Sequence, residues 1–248
     1  MCEFNTFSIV ARCRRTERLG VAVATAVPAV GAVCPYIRSG IGVGSTQSWM
    51  NPYLAFDVLQ AMATGATAQE ALDEVIAADD GRALRQIGVV DAAGRAAAWS
   101  GADCTTWFGQ VVDDGFAVQG NMLIGAETID AMVSAFTGSD AADLDERLML
   151  ALEAADEAGG DKRGKQSAAI RVHGPEAYAI IDARVDEHVE PVAELRRVLE
   201  IVRLQAVPFV MGMPRRDSAA GAAPPEVTAM LALSPPQRPG GGGRALSR

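Results

Sequence analysis

The chain has 248 residues, 49% of them hydrophobic and 21% charged, which suits one large domain with a real core and does not suit a disordered protein. Its net charge of −9 and pI near 4.8 lack the basic surplus that a phosphate backbone or an anionic membrane surface demands, so neither nucleic acid nor membrane is an expected partner. No stretch approaches the roughly 18–20 unbroken apolar residues of a membrane helix, and Glu3, Arg12, Arg14, Arg15 and Arg18 stand where a signal peptide would be apolar, so the expected location is the cytoplasm.

The first half reads as short strands rich in Val, Ile, Ala and Gly: Thr6–Arg12, Leu19–Thr25, a stretch around Val30–Arg38, and Ile41–Gln47. A helix is expected from about Pro52, with Leu54, Val58 and Met62 on one face. A second starts after Thr67, where Thr67 and Glu70 form a capping box ahead of Leu72, Val75 and Ile76. Gln86–Asp91 and Arg95–Ser100 flank Ala-Ala-Gly as a hairpin, and Thr106–Val111 and Phe116–Gly120 flank the turn Asp113-Asp114-Gly115.

Two further helices follow. One carries Ile129, Met132, Val133 and Phe136, and the next runs from about Ala142 with Leu144, Leu148, Leu152 and Ala155 inward and stops at Gly159-Gly160. Ser167–Val172 and Ala177–Asp182 are strands, and a last helix from about Pro191 shows Val192, Leu195, Leu199 and Val202 on one side. Residues 1–210 are expected to form one domain. Residues 211–248, with Ala-Ala-Pro-Pro, Ser-Pro-Pro and a run of four glycines, are expected to be a flexible tail. Two helix pairs interleaved with strands fit helices covering both faces of two stacked antiparallel sheets, an α+β sandwich.

The chemistry-bearing residues are few. Four cysteines, Cys2, Cys13, Cys34 and Cys104, stand far apart with no CxxC pair, the pattern of thiols in a reducing compartment rather than a disulfide frame or zinc site. Two histidines, His173 and His188, come without HExxH or any His cluster, so no metal is expected, and no GxSxG elbow supplies a triad serine. The Gly-rich stretch Gly159-Gly-Asp-Lys-Arg-Gly-Lys-Gln-Ser167 lacks GxxxxGK[ST] and sits between a helix and a strand, the reverse of a P-loop. No cofactor is expected.

Six stretches resemble a family of bacterial proteins, the domain of unknown function 1028, grouped with the N-terminal-nucleophile (Ntn) hydrolases. They are Thr6-Phe-Ser-Ile-Val-Ala-Arg12; Gly20-Val-Ala-Val-Ala24; Ala29-Val-Gly-Ala-Val33 with Arg38; Ser45-Thr-Gln-Ser-Trp49 to Asn51-Pro52; Gly120-Asn-Met-Leu123; and Gly159 to Ala168. The resemblance covers about residues 6–205. It implies a four-layer αββα sandwich and suggests an amidohydrolase acting on an amide-type bond of a small molecule. The alternative is a non-catalytic binding protein that keeps the sandwich. A homo-oligomer, dimer or tetramer, is expected.

Ntn chemistry requires a hydroxyl or thiol on the first residue of the mature chain, whose own α-amine is the general base. Thr6, opening the first strand with Ser8 two residues on, is the leading candidate, and needs the Asn5–Thr6 bond to be cut. Cys2 is exposed by loss of Met1 alone but stands four residues ahead of the strand. Gln47 and Asn51, in the polar junction Thr46-Gln47-Ser48, and Asn121 are amides that can serve an oxyanion or a substrate carbonyl, or else cap a helix. Asp161 and Arg163 lie between glycines, where a carboxylate suits an ammonium group and an Arg fork suits a carboxylate. Arg38, Gln166 and Ser167 complete the expected substrate-binding set.

Overall fold

The computed structural model describes residues 6–222 and 224–245. Its elements are β1 (Thr6–Arg12), β2 (Leu19–Thr25), β3 (Pro35–Arg38), β4 (Gly42–Ser48), α1 (Pro52–Ala63), α2 (Ala68–Ala78), β5 (Arg85–Asp91), β6 (Ala96–Ser100), β7 (Gly109–Asp113) and β8 (Phe116–Asn121). Then come α3 (Glu127–Gly138), α4 (Leu144–Glu157), β9 (Ser167–His173), β10 (Ala179–Val185), α5 (Pro191–Ile201), α6 (Val207–Met211) and α7 (Pro225–Ala232).

The ten strands form a six-stranded sheet in the order β10-β9-β2-β1-β8-β7 and a four-stranded sheet in the order β3-β4-β5-β6. Every pairing is antiparallel. Helices α3, α4 and α5 cover the outer face of the larger sheet, and α1 and α2 that of the smaller. The result is the αββα sandwich.

Strand alternation explains the three apolar layers. On β1, Phe7, Ile9 and Ala11 face α3–α5, whereas Val10 faces the other sheet, where it meets Val21, Val43, Val90 and Ala117. On β5, Ile87 and Val89 face α1 and α2. Helix starts follow their caps: the Asn51 side chain accepts from the Tyr53 N–H at 3.1 Å ahead of Pro52, and Thr67 and Glu70 complete a reciprocal capping box.

Two expected strands are shorter than the apolar pattern implied. Around Val30–Arg38 only Pro35–Arg38 is extended. Ala29 takes a left-handed conformation (φ 58°), and the Val30 N–H donates to Ser167 Oγ at 3.1 Å, so residues 30–32 form a 3₁₀ turn instead. The strand expected from Thr106 begins at Gly109, where the Trp107 ring occupies the space that a Cβ would need. Beyond residue 211, Val227 of α7 is buried, and Gln205 Nε2 donates to the carbonyls of Pro239 and Gly241 at 2.9 Å each. Among the described residues no helix is long and apolar enough to cross a membrane.

Candidate functional site

The layer between the sheets changes character along its length. Past the Val10, Val43 and Val90 plug, the inward-facing positions become Ser8 on β1, Ser45 and Gln47 on β4, Gly88 and Gln86 on β5, and Gln119 and Asn121 on β8, the polar ones all buried. At the end of the larger sheet, Thr6 lies opposite Thr25 on β2 and Asn121 on β8, and Thr25 opposite Ser167 on β9. This makes a row of four polar side chains across four strands.

The amides form a directed hydrogen-bond network. Gln119 Nε2 donates to Ser8 Oγ at 2.6 Å, and Ser8 Oγ donates to Gln47 Oε1 at 2.6 Å. Gln47 Nε2 donates to Gln86 Oε1 at 2.8 Å and to the Thr6 carbonyl at 3.1 Å. Gln86 Oε1 also accepts from Asn121 Nδ2 at 2.9 Å, while Gln86 Nε2 donates to Ser100 Oγ at 2.8 Å and to the Gly120 carbonyl at 2.9 Å. Both arms from Gln86 thus end at Thr6 and its neighbour Asn121. Flipping the Gln86 amide would set donor against donor and oxygen against carbonyl, so its orientation is fixed by the network.

Gly88 makes room for it. A Cβ there would lie 2.0 Å from Gln119 Oε1, an oxygen that has no hydrogen-bond partner among the described residues. Thr6 Oγ1 lies 3.3 Å from Thr25 Oγ1, and both side chains are buried.

The glycine-flanked loop closes the end of the sheet. Buried Asp161 accepts from the Ala26 N–H at 3.1 Å and the Arg163 N–H at 2.9 Å, and its carboxylate is clasped by Arg163 Nε and Nη2 at 3.3 and 3.1 Å. The Lys162 ammonium donates to the Thr106 carbonyl at 2.6 Å. Bonding to Glu190, opposed by burial, and bonding to Asp156 hold the Lys165 ammonium above the ordinary lysine range, so it is a cation and not a base. A recess of about 70 Å³ opens beside Thr25, Asp161, Gly164 and Lys165.

The remaining expected residues sit apart from the network. Ser167 Oγ donates to the Val27 carbonyl at 2.6 Å, and the Gln166 backbone N–H donates to the Thr25 carbonyl at 2.8 Å, so both fasten the loop after β2. Asn51 caps α1 at the rim of a cavity of about 540 Å³ between α1 and α2, in the outer helix layer and away from the space between the sheets. Arg38 bonds to Gln60 at 3.0 Å and pairs with Gly42, five residues along β4 from Gln47, roughly 17 Å at the antiparallel rise per residue. Cys2 lies outside the described residues. Cys34 is fully buried and its thiol is pushed up to about 12 by that burial, which makes it inert.

Gln86, Gln119, Thr25 and Gly88 belong to this cluster without being expected from the sequence. A glutamine inside a strand of otherwise apolar residues, as in Gln86-Ile-Gly-Val-Val90 and Ala117-Val-Gln-Gly120, was the available signal. Among the described residues no group of three or more His, Cys, Asp or Glu is arranged to hold a metal ion.

These features define an αββα sandwich protein with a buried amide network leading to the first residue of a central strand. Within that class the chain belongs to DUF1028, a family of unknown function, whose model matches residues 6–195. A Silicibacter pomeroyi protein of the same family, known from its crystal structure, shares 29% identity at a TM-score of 0.82, over 89% of this chain and 96% of that one. A fainter likeness, with TM-score 0.39 and 12% identity over 84% of this chain and 98% of the other, is to Anbu, an ancestral beta-subunit from Yersinia bercovieri, and carries no weight for function. Comparison with curated proteins gives no match.

Proposed function

We propose that the protein is an Ntn-type amidohydrolase that cleaves an amide-type bond of a small molecule, with Thr6 as its nucleophile. The observation that carries this reading is the placement of Thr6. It opens β1 near the middle of the larger sheet, its hydroxyl 3.3 Å from that of Thr25 and its carbonyl held by Gln47.

Cleavage of the Asn5–Thr6 bond frees the α-amine, whose unperturbed pKa of about 8 suits a general base at neutral pH. The amine takes the hydroxyl proton as Oγ1 attacks the substrate carbonyl. Asn121 Nδ2 spends one N–H on Gln86, and its other hydrogen is the donor for the oxyanion. Collapse expels the amine product, which takes up the proton, and water then hydrolyses the ester on Thr6 and restores the hydroxyl. Gln47 spends both N–H groups on Gln86 and the Thr6 carbonyl, so it positions Thr6. Asp161, clasped by Arg163, ties the glycine-flanked loop to the end of β2 through the Ala26 N–H, next to Thr25. Arg38 and Asn51, which lie away from Thr6, are assigned no step in this scheme.

The test is hydrolysis of a panel of small N-acyl amides by three purified forms. Thr6→Ala is expected to lose at least about 10³-fold in kcat/KM, as removal of a nucleophile does, with Cys2→Ala unchanged. Full activity in Thr6→Ala overturns the assignment, and loss confined to Cys2→Ala moves the nucleophile to Cys2.

A further inference from the structure

Another cavity, of about 230 Å³, lies on the far side of the molecule from the amide network, at the opposite ends of β2 and β9. Three segments wall it: the β1–β2 hairpin, the turn from β9 to β10, and the chain leaving α6. Its floor is apolar, from Ile180, Val210 and Met211 with the Tyr178 ring, and its charged lining is Arg18, Arg215 and Glu176.

The walls are tied in place. The Tyr178 hydroxyl donates to the Pro214 carbonyl at 3.0 Å, which fixes the segment carrying Arg215. Ser39 Oγ donates to the Glu176 carbonyl, which fixes the β9–β10 turn. The cavity is therefore a formed recess between packed elements.

The recess brings together two arginines that make no ion pair among the described residues. Three arginines of the β1–β2 hairpin have carboxylate partners: Arg12 with Glu17 at 2.8 Å, Arg14 with Asp114, and Arg15 with Asp143 at 2.7 Å. Arg18, the one that lines the cavity, forms no ion pair among the described residues. Arg215 donates Nη2 to the Met211 carbonyl at 3.2 Å and likewise has no carboxylate partner there. In a chain of 31 acidic and 22 basic residues, two arginines left without ion pairs at one apolar recess are a local reversal of the overall charge. Against two guanidinium groups, the Glu176 carboxylate leaves a net positive lining.

We propose that this recess is a binding site for a small organic anion with an apolar body: an acid head group held between Arg18 and Arg215, and a hydrocarbon or aromatic part on Ile180, Val210 and Met211. An arginine fork suits a carboxylate, sulfonate or phosphate oxygen pair, and a concave apolar surface with a few polar groups is the usual form of a small-molecule site. The site is separate from Thr6, and the inference does not depend on the hydrolase reading.

Anilinonaphthalene sulfonate, an aromatic body with one acid group, is the probe. Titrated into the full-length folded protein, it is expected to give a saturable fluorescence increase at one molecule per chain that weakens with added salt. Arg18→Gln and Arg215→Gln are each expected to weaken binding about fivefold and the double variant at least tenfold, with Tm unchanged, and Met211→Asp to abolish it. Phenylnaphthylamine, the same body without the acid group, is expected to bind at least tenfold more weakly. Absence of saturable binding to the wild-type chain, an unchanged Kd in the double arginine variant, or equal affinity for the uncharged compound would each overturn the proposal.

Discussion

The two ends of the inter-sheet layer are built from the same strands and do different things. At one end Val10, Leu19, Val21, Val43, Val90 and Ala117 form a dry apolar plug. At the other, two to four residues further along each strand, Ser8, Gln47, Gln86, Gln119 and Asn121 fill the same layer with amides and a hydroxyl. Apolar residues would fill that space at lower cost, because buried polar groups merely recover the hydrogen bonds they made in water. What the polar end gains is direction: each amide has one orientation, and Thr6 and Asn121 stand where the two arms finish.

The largest expected effect breaks the polar end at its hub. Gln86→Leu strands the Asn121 and Gln47 donors and the Gly120 carbonyl, and is expected to cost about 4 kcal/mol, at roughly 1–3 kcal/mol for each buried group left unpaired. Chemical denaturation measures it. The triple variant Gln47→Leu, Gln86→Leu, Gln119→Leu sharpens the contrast: with most partners removed together, it is expected to recover stability relative to Gln86→Leu alone while turnover stays lost. If the triple variant keeps turnover, the network is packing and nothing more.

A somewhat smaller effect belongs to the apolar end. Leu19→Ala is expected to cost about 3 kcal/mol through lost burial and the cavity left behind, with kcat/KM unchanged at 25 °C. A loss of activity without loss of stability in this variant would erase the distinction between the two ends.

The smallest lies outside the sandwich. The boundary near residue 211 is proposed as the limit of the folding unit, since Val227 is the one buried apolar residue of α7. Deletion of residues 212–248 is expected to lower Tm by no more than about 4 °C, which for a domain of this size is roughly 1–2 kcal/mol. A larger fall would place the tail within the unit.

Most of the sandwich was legible because its strands and helices alternate at periods set by burial on one face. The capping box at Thr67 and the stop at Gly159-Gly160 (φ 106° and 53°) marked helix ends by local chemistry. The misread stretches failed for non-local reasons. Val30 is taken from a strand by the hydroxyl of Ser167, a residue 137 positions away, and Trp107 displaces the start of β7 by folding over Gly109.

The site was legible by half for the same reason. Thr6 stands out at a strand start, and Gln47 and Asn121 at strand ends. Gln86 and Gln119 read as ordinary solvent-facing members of an alternating strand, and only the stacking of a second sheet turns that face inward. Gly88 carries no signal at all until the Gln119 side chain is seen lying on it.

The central claim is that Thr6 becomes the first residue of the mature chain. Intact-mass and N-terminal peptide mass spectrometry of the purified protein, alongside the Thr6→Ala variant, tests this without any substrate. The account predicts a mature wild-type chain beginning at Thr6 and a variant that retains residues 1–5. A wild-type chain that keeps those residues, beginning at Met1 or Cys2, would contradict it.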